Sequence, residues 1–137
     1  MSESLVSTEI QSAIVSKRIL IADDSEIVRS VVRRLLRHKI GLEVCGEAVD
    51  GLDAIGKAKD LKPDLILVDF RMPNLNGVEV ASIIKKELPH VRIILFTLFE
   101  NQVPKTMATA AHIDVVVSKP DGINKLLESI QDVLATT

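Results

Sequence analysis

Tryptophan and tyrosine are absent from the 137-residue chain, and phenylalanine occurs only three times. Platforms for single-stranded nucleic acid need aromatic faces on which bases stack. That scarcity argues against such a platform and leaves Ile, Val, Leu and Ala to build the core. Cysteine occurs once, as Cys45, which excludes an internal disulfide framework and any multi-cysteine metal site. Within the run LEVCGEA it is expected to act as a small buried hydrophobe. Neither charge sign dominates: the formal net charge is -2, so nothing pulls the chain as a whole toward nucleic acid or anionic lipid. No apolar stretch approaches the roughly 20 residues that span a bilayer. The opening segment, MSESLVSTEIQSAIVS, lacks the basic start and solid apolar block of a secretion signal. Residues 1–16 are expected to form a flexible tail ahead of one domain over 17–137, in the cytoplasm, without membrane or direct nucleic-acid contact.

What is present is an alternation. Short apolar runs at 18–22 (RILIA), 42–48 (LEVCGEA), 64–68 (DLILV), 92–96 (RIILF) and 114–118 (DVVVS) are separated by segments with helical periodicity. All but the second are apolar on consecutive residues, as in parallel strands buried on both faces. Ser25 is placed to cap the first helix, with Ile27, Val28, Val31, Val32, Leu35 and Leu36 on one stripe. Asp50 is placed to cap the second, and Pro63 follows its end. A third runs from about Gly77 to Glu87 before Pro89; a fourth starts near Pro104 and ends near Ala111; a fifth carries Ile123, Leu126, Leu127, Ile130, Val133 and Leu134. Five βα units in one chain predict a three-layer, doubly wound α/β domain with helices on both faces of a parallel sheet.

Ligands of such sheets bind beyond the carboxyl ends of the strands. The residues following the buried runs are Asp23 and Asp24, Asp69, Thr97, and Lys119. Carboxylates, a hydroxyl and an ammonium group are thus predicted to converge on one edge, with the paired acids on the rim of a pocket. Clustered carboxylates call for a cation, and an oxygen-only donor set suits a hard one such as Mg2+. A carboxylate can attack phosphorus to give an aspartyl phosphate. A lysine then supplies a point charge for the transferred group, and a threonine a hydrogen bond.

These residues carry a family resemblance. From about Lys17 to Ala135 the chain resembles the receiver domain of bacterial two-component response regulators, of which the chemotaxis regulator is the familiar member. ILIADDS ends the first strand, DLILVDFRMPNLNG surrounds the third, IILFT ends the fourth and VSKP the fifth. The resemblance implies a flavodoxin-like (βα)5 fold with strand order 2-1-3-4-5. It implies Asp69 as phosphoacceptor, Lys119 as the partner first of Asp69 and then of the phosphoryl group, and Thr97 as the residue that moves toward that group. It implies Mg2+ held directly by Asp24 and Asp69, through water by Asp23, and by the backbone carbonyl of Arg71. It also implies a cis Lys119–Pro120 bond, a sensor histidine kinase or histidine phosphotransfer protein as donor, and a protein target docking on the face of the fourth helix, fifth strand and fifth helix, where Val115, Val117 and Lys105 fall. The function implied is a phosphoacceptor switch of a phosphorelay, not an enzyme with substrate turnover. One alternative is an Mg2+-dependent aspartate-nucleophile phosphatase, although those enzymes place the nucleophile after the first strand. Another is that these residues are a fragment of a longer DNA-binding response regulator.

Two departures bear on mechanism. The position three residues before Lys119, usually aromatic in the family, is Val116, so a signal is expected to pass through Thr97 and the loop after it. Leu98 and Phe99 are bulkier there than the family norm, which predicts slow loss of the phosphoryl group. Arg29, Arg33 and Arg37 recur along one side of the first helix, a solvated face or a docking surface for an acidic partner. His38, His90 and His112 are expected at surface positions or helix ends, and Met72 and Met107 in packing.

Overall fold

The computed structural model describes residues 16–136; the expected flexible tail lies, apart from Ser16, outside the described residues. The strands are β1 (Lys17–Ala22), β2 (Leu42–Ala48), β3 (Leu65–Val68), β4 (Arg92–Thr97) and β5 (Val115–Ser118). The helices are α1 (Glu26–Arg37), α2 (Gly51–Leu61), α3 (Gly77–Glu87), α4 (Lys105–Ala110) and α5 (Ile123–Ala135). All strand pairs are parallel and the order is β2-β1-β3-β4-β5.

Successive side chains of a strand point to opposite faces, and both faces are covered here. Leu20, Ala22, Ile66, Val68, Ile93 and Leu95 pack with residues of α2, α3 and α4. Their neighbours Ile19, Ile21, Leu65, Leu67, Ile94 and Phe96 pack with α1 and α5. This is why the central runs read as unbroken apolar stretches. β2 is an edge strand and only partly buried. Its register against β1 shifts between Ile19 and Leu20, leaving Cys45 as an extra residue in a bulge. Cys45 is therefore half-exposed rather than buried, and what burial it has raises its thiol pKa.

Ser25 caps α1 by accepting from the Val28 amide, and Asp50 caps α2 through the Asp53 amide. Asn76 and Glu79 form a reciprocal capping box at α3. α4 is short, and Pro104 sits at its N-cap. His38 and His112 flank helix C-termini as expected. Two placements differ from expectation: Met107, expected in packing, is 42% exposed, and Val117, expected on the docking face, is turned into the core beneath α5. No peptide bond among the described residues is cis; Lys119–Pro120 is trans and opens a 3-10 turn over Lys119–Asp121.

Candidate functional site

The predicted residues do meet at the carboxyl edge. β1 ends at Ala22 and β3 at Val68, and the sheet's hydrogen bonding runs on into the acids: the Asp23 amide donates to Ala48 O (3.1 Å) and the Asp69 amide to Ala22 O (3.0 Å). Carboxylate oxygens of Asp23, Asp24 and Asp69 lie within 4.8 Å of one another. The acids are not all on the rim. Asp23 is 3% and Asp69 6% exposed, whereas Asp24 is open to solvent. The reason is that Asp23 and Asp69 continue central strands, whose ends are covered by the flanking loops, and only Asp24 steps out of the sheet.

Lys119 neutralises part of this cluster. Its Nζ donates to Asp23 Oδ2 at 2.8 Å and to Asp69 Oδ2 at 3.3 Å. The resemblance pairs Lys119 with Asp69; here it is shared, with the nearer contact to Asp23. The Ser25 amide donates to Asp23 Oδ1 (2.9 Å). Asp69 Oδ1, by contrast, is buried and has no hydrogen-bond partner among the described residues. Burial pushes the Asp69 carboxyl up, Lys119 opposes this, and the Asp23 charge adds to the rise; the Thr97 hydroxyl nearby favours the ionised form. Thr97 is fully buried and its Oγ1 accepts from the Phe99 amide (3.0 Å). Thr97 thus already organises the loop that follows it.

The loop after Asp69 is held by Gly77. Its amide donates to Phe70 O (2.8 Å). A Cβ on Gly77 would come within 2.4 Å of Asp69 O and 2.7 Å of Leu95 Cδ1, so the close approach requires glycine. Outside the acids lies a cavity of about 560 Å³ lined by Asp24, Phe70, Arg71, Met72, Pro73, Asn76 and Gln102. Arg71 spans it: the guanidinium sits 4.5 Å from the Phe99 ring centroid and hydrogen-bonds Gln102. This strap joins the loops after β3 and β4. Sequence reasoning placed Phe99 as a bulky group but missed its pairing with Arg71, since nothing in the chain order signals contact between the two loops.

The donor set can be tested against a metal. Three acids cluster, only Asp23 and Asp69 share the Lys119 ammonium, and one buried carboxylate oxygen is left without a partner among the described residues. Such a cluster fits a hard divalent cation and offers no soft ligand.

The model of the response regulator receiver domain matches residues 19–131. The chain belongs to this family. The response regulator protein VraR of Staphylococcus aureus is 34% identical over 114 residues, covering 83% of this chain and 54% of the relative. The receiver thus spans about half the length of the curated relatives it matches. The response regulator domain of Thermotoga maritima CheB superimposes with TM-score 0.78 at 34% identity, covering 88% of this chain and 97% of that one. A LuxR-family two-component regulator from Aurantimonas gives TM-score 0.83 at 29% identity, covering 88% and 86%. T. maritima TrrA, solved in complex with Mg2+ and BeF, gives 0.77 at 30%, covering 85% and 98%. Fold and strand order are those of the receiver. Receivers are phosphoacceptor signalling switches rather than turnover enzymes, which sets aside the phosphatase alternative. No helix among the described residues is long and apolar enough to cross a membrane.

Proposed function

We propose that Asp69 is the phosphoacceptor of this receiver and that Lys119, Thr97 and the acids around it form its phosphorylation site. The observation that carries this is the asymmetry of the Asp69 carboxylate: Oδ2 is held by Lys119, while Oδ1 is buried without a hydrogen-bond partner among the described residues. A carboxylate oxygen in that state is shielded from solvent, with the Thr97 hydroxyl nearby. It attacks the phosphorus of a phosphohistidine on a sensor kinase or phosphotransfer protein. The P–O bond to Asp69 forms as the P–N bond breaks, and the imidazole leaves. Lys119 then places its charge against the phosphoryl oxygens, and Thr97 turns its hydroxyl toward them. Asp23, Asp24, Asp69 and the backbone carbonyl of Arg71 would hold Mg2+. The ion would offset negative charge on the acids and the phosphoryl oxygens.

Transfer changes what Thr97 bonds to, and Thr97 Oγ1 now accepts from the Phe99 amide. Val116 is half-buried against the core and offers no ring to rotate. The signal therefore passes into residues 97–105 and on to the face of α4, β5 and α5, where a target protein docks; Leu98 in the loop after β4 and Met107 on α4 are exposed apolar residues. With net charge -2, the domain is read as contacting protein rather than nucleic acid. Beryllium fluoride with Mg2+ tests the reading: amide shifts at 97–105 are expected in the wild type and none in Asp69→Ala. Shifts that persist in Asp69→Ala, or a wild type that does not respond, contradict it.

A further inference from the structure

The bulge in β2 has a consequence at the acids. Val44 packs toward α1 and α5, and Cys45 toward α2 and α3. A Cβ on Gly46 would meet Leu61 of α2 and Leu20 on that same side. Two successive residues thus share one face, and alternation resumes with its phase reversed. Glu47 is thereby directed toward α1 instead of α2. There its Oε1 accepts from Arg29 Nε at 3.0 Å and its Oε2 from Arg33 Nη1 at 2.5 Å. Arg29 does more than pair with Glu47: its Nη1 donates to the backbone carbonyl of Asp23 at 2.7 Å. The Arg29 side chain is only 12% exposed, so this fork is shielded from water, whereas the Arg33 side chain is 38% exposed.

The geometry points to Arg29 as a positioning residue for the metal-binding acids, anchored by Glu47 and acting through the Asp23 carbonyl. The inference rests on the reading that Asp23, Asp24 and Asp69 hold Mg2+. A planar guanidinium donates along fixed directions, so a fork shared between Glu47 and Asp23 sets the distance from the edge strand to the acid turn. The opposite side of that turn is fixed by the Ser25 amide on Asp23 Oδ1 and by Lys119 on Oδ2. Without Arg29 the turn carrying Asp23 and Asp24 keeps only the backbone bond from the Asp23 amide to Ala48 O (3.1 Å) toward the edge strand and loses its side-chain link there. Groups that orient metal ligands typically change metal affinity by about 10–100-fold when removed. Two of the three arginines on this helix side are thus engaged with Glu47, which narrows the docking surface suggested by their spacing to Arg37.

The test is a titration of the chain with Mg2+ alone, followed by backbone amide shifts of the acid turn, with no phosphoryl donor present. Arg29→Gln is expected to bind Mg2+ about 10-fold more weakly than the wild type. Arg33→Ala loses a contact to the same Glu47 but none to Asp23, and leaves the Arg29–Glu47 and Arg29–Asp23 bonds in place, so it is expected to stay within about two-fold. Glu47→Gln, which keeps the side-chain volume and removes the anchoring charge, supplies a second variant and is expected to weaken binding several-fold. Wild-type affinity in Arg29→Gln or in Glu47→Gln, or an equal loss in Arg33→Ala, overturns the proposal. A wild type that binds no Mg2+ overturns the reading of the site itself, and this inference with it.

Discussion

Replacing Asp69 by asparagine should make the metal-free domain more stable. The Asp69 side chain is 7% exposed, and its Oδ1 is an acceptor without a donor among the described residues. Burial is the largest cause of its raised carboxyl pKa, and the neighbouring Asp23 charge adds to the rise. An unsatisfied buried acceptor costs about 1–3 kcal/mol, more when charged. Asparagine keeps the shape and removes the charge. It takes the charge out of the 3.3 Å contact with Lys119, but Lys119 retains Asp23 at 2.8 Å. The net expectation is a gain of about 1–2 kcal/mol, or about 3–8 °C in melting temperature for a domain of this size. The sign with pH follows from linkage. A carboxyl raised in the folded state holds its proton longer there than in the unfolded chain. The wild type is therefore relatively favoured at low pH and loses that stability as pH rises through the raised value. The gap between the Asp69→Asn variant and the wild type should open above the ordinary carboxylate range, near pH 4, and then level off. Saturating Mg2+ should close or reverse it, because the ion stabilises the wild type by mass action and loses a ligand in Asp69→Asn. Thermal melts in chelator and in Mg2+ measure all of this. If the substitution destabilises the metal-free domain, or if the gap is insensitive to Mg2+, Asp69 does not carry the unrelieved buried charge described here.

Three further expectations follow from named contacts. Gly77→Ala would push a methyl into Asp69 O and Leu95, costing about 1–3 kcal/mol by overpacking; an unchanged urea midpoint would show that the loop yields. Phe99→Ala removes the ring beneath Arg71, a contact worth about 0.5–1 kcal/mol, and so loosens the strap that joins the loops after β3 and β4 beside Asp69. The phosphorylated domain should be long-lived in the wild type and lose phosphate several-fold faster in this variant, followed by intact mass over time; a wild-type half-life of seconds contradicts the shielding. Leu126, fully buried between α5 and the sheet, should cost about 2–5 kcal/mol on conversion to alanine, read from chemical denaturation, and a loss under about 1 kcal/mol would mean that the core there collapses to fill the space.

Much of this was readable along the chain. The apolar runs at 18–22, 64–68 and 92–96 announce strands covered on both faces, and the two clusters built on alternate residues bear that out. Caps at Ser25 and Asp50 lie where short polar side chains precede helical stripes. The convergence of Asp23, Asp24, Asp69, Thr97 and Lys119 follows from topology alone, because parallel strands deliver their ends to one edge. What escaped is whatever depends on side-chain reach between segments distant in sequence. The depth of Asp23 depends on loops closing over β1. The division of Lys119 between two acids depends on small differences in distance. The Arg71–Phe99 strap and the Arg29–Glu47–Asp23 link each join elements far apart in the chain, and the second exists only because a bulge at Cys45 reverses the phase of β2. The expected cis bond at Pro120 was carried by resemblance rather than by these residues, and the trans bond in a 3-10 turn replaces it.

The function proposed for this receiver turns on Asp69 taking a phosphoryl group with the help of a divalent ion. Intact mass after incubation with acetyl phosphate reads this out, in Mg2+ and in chelator, for the wild type and for Asp69→Ala. One added phosphoryl group is expected in the wild type with Mg2+, and none in chelator or in the variant. Addition to Asp69→Ala, or no addition to the wild type from either this donor or a phosphorylated histidine kinase, would mean that Asp69 is not the phosphoacceptor.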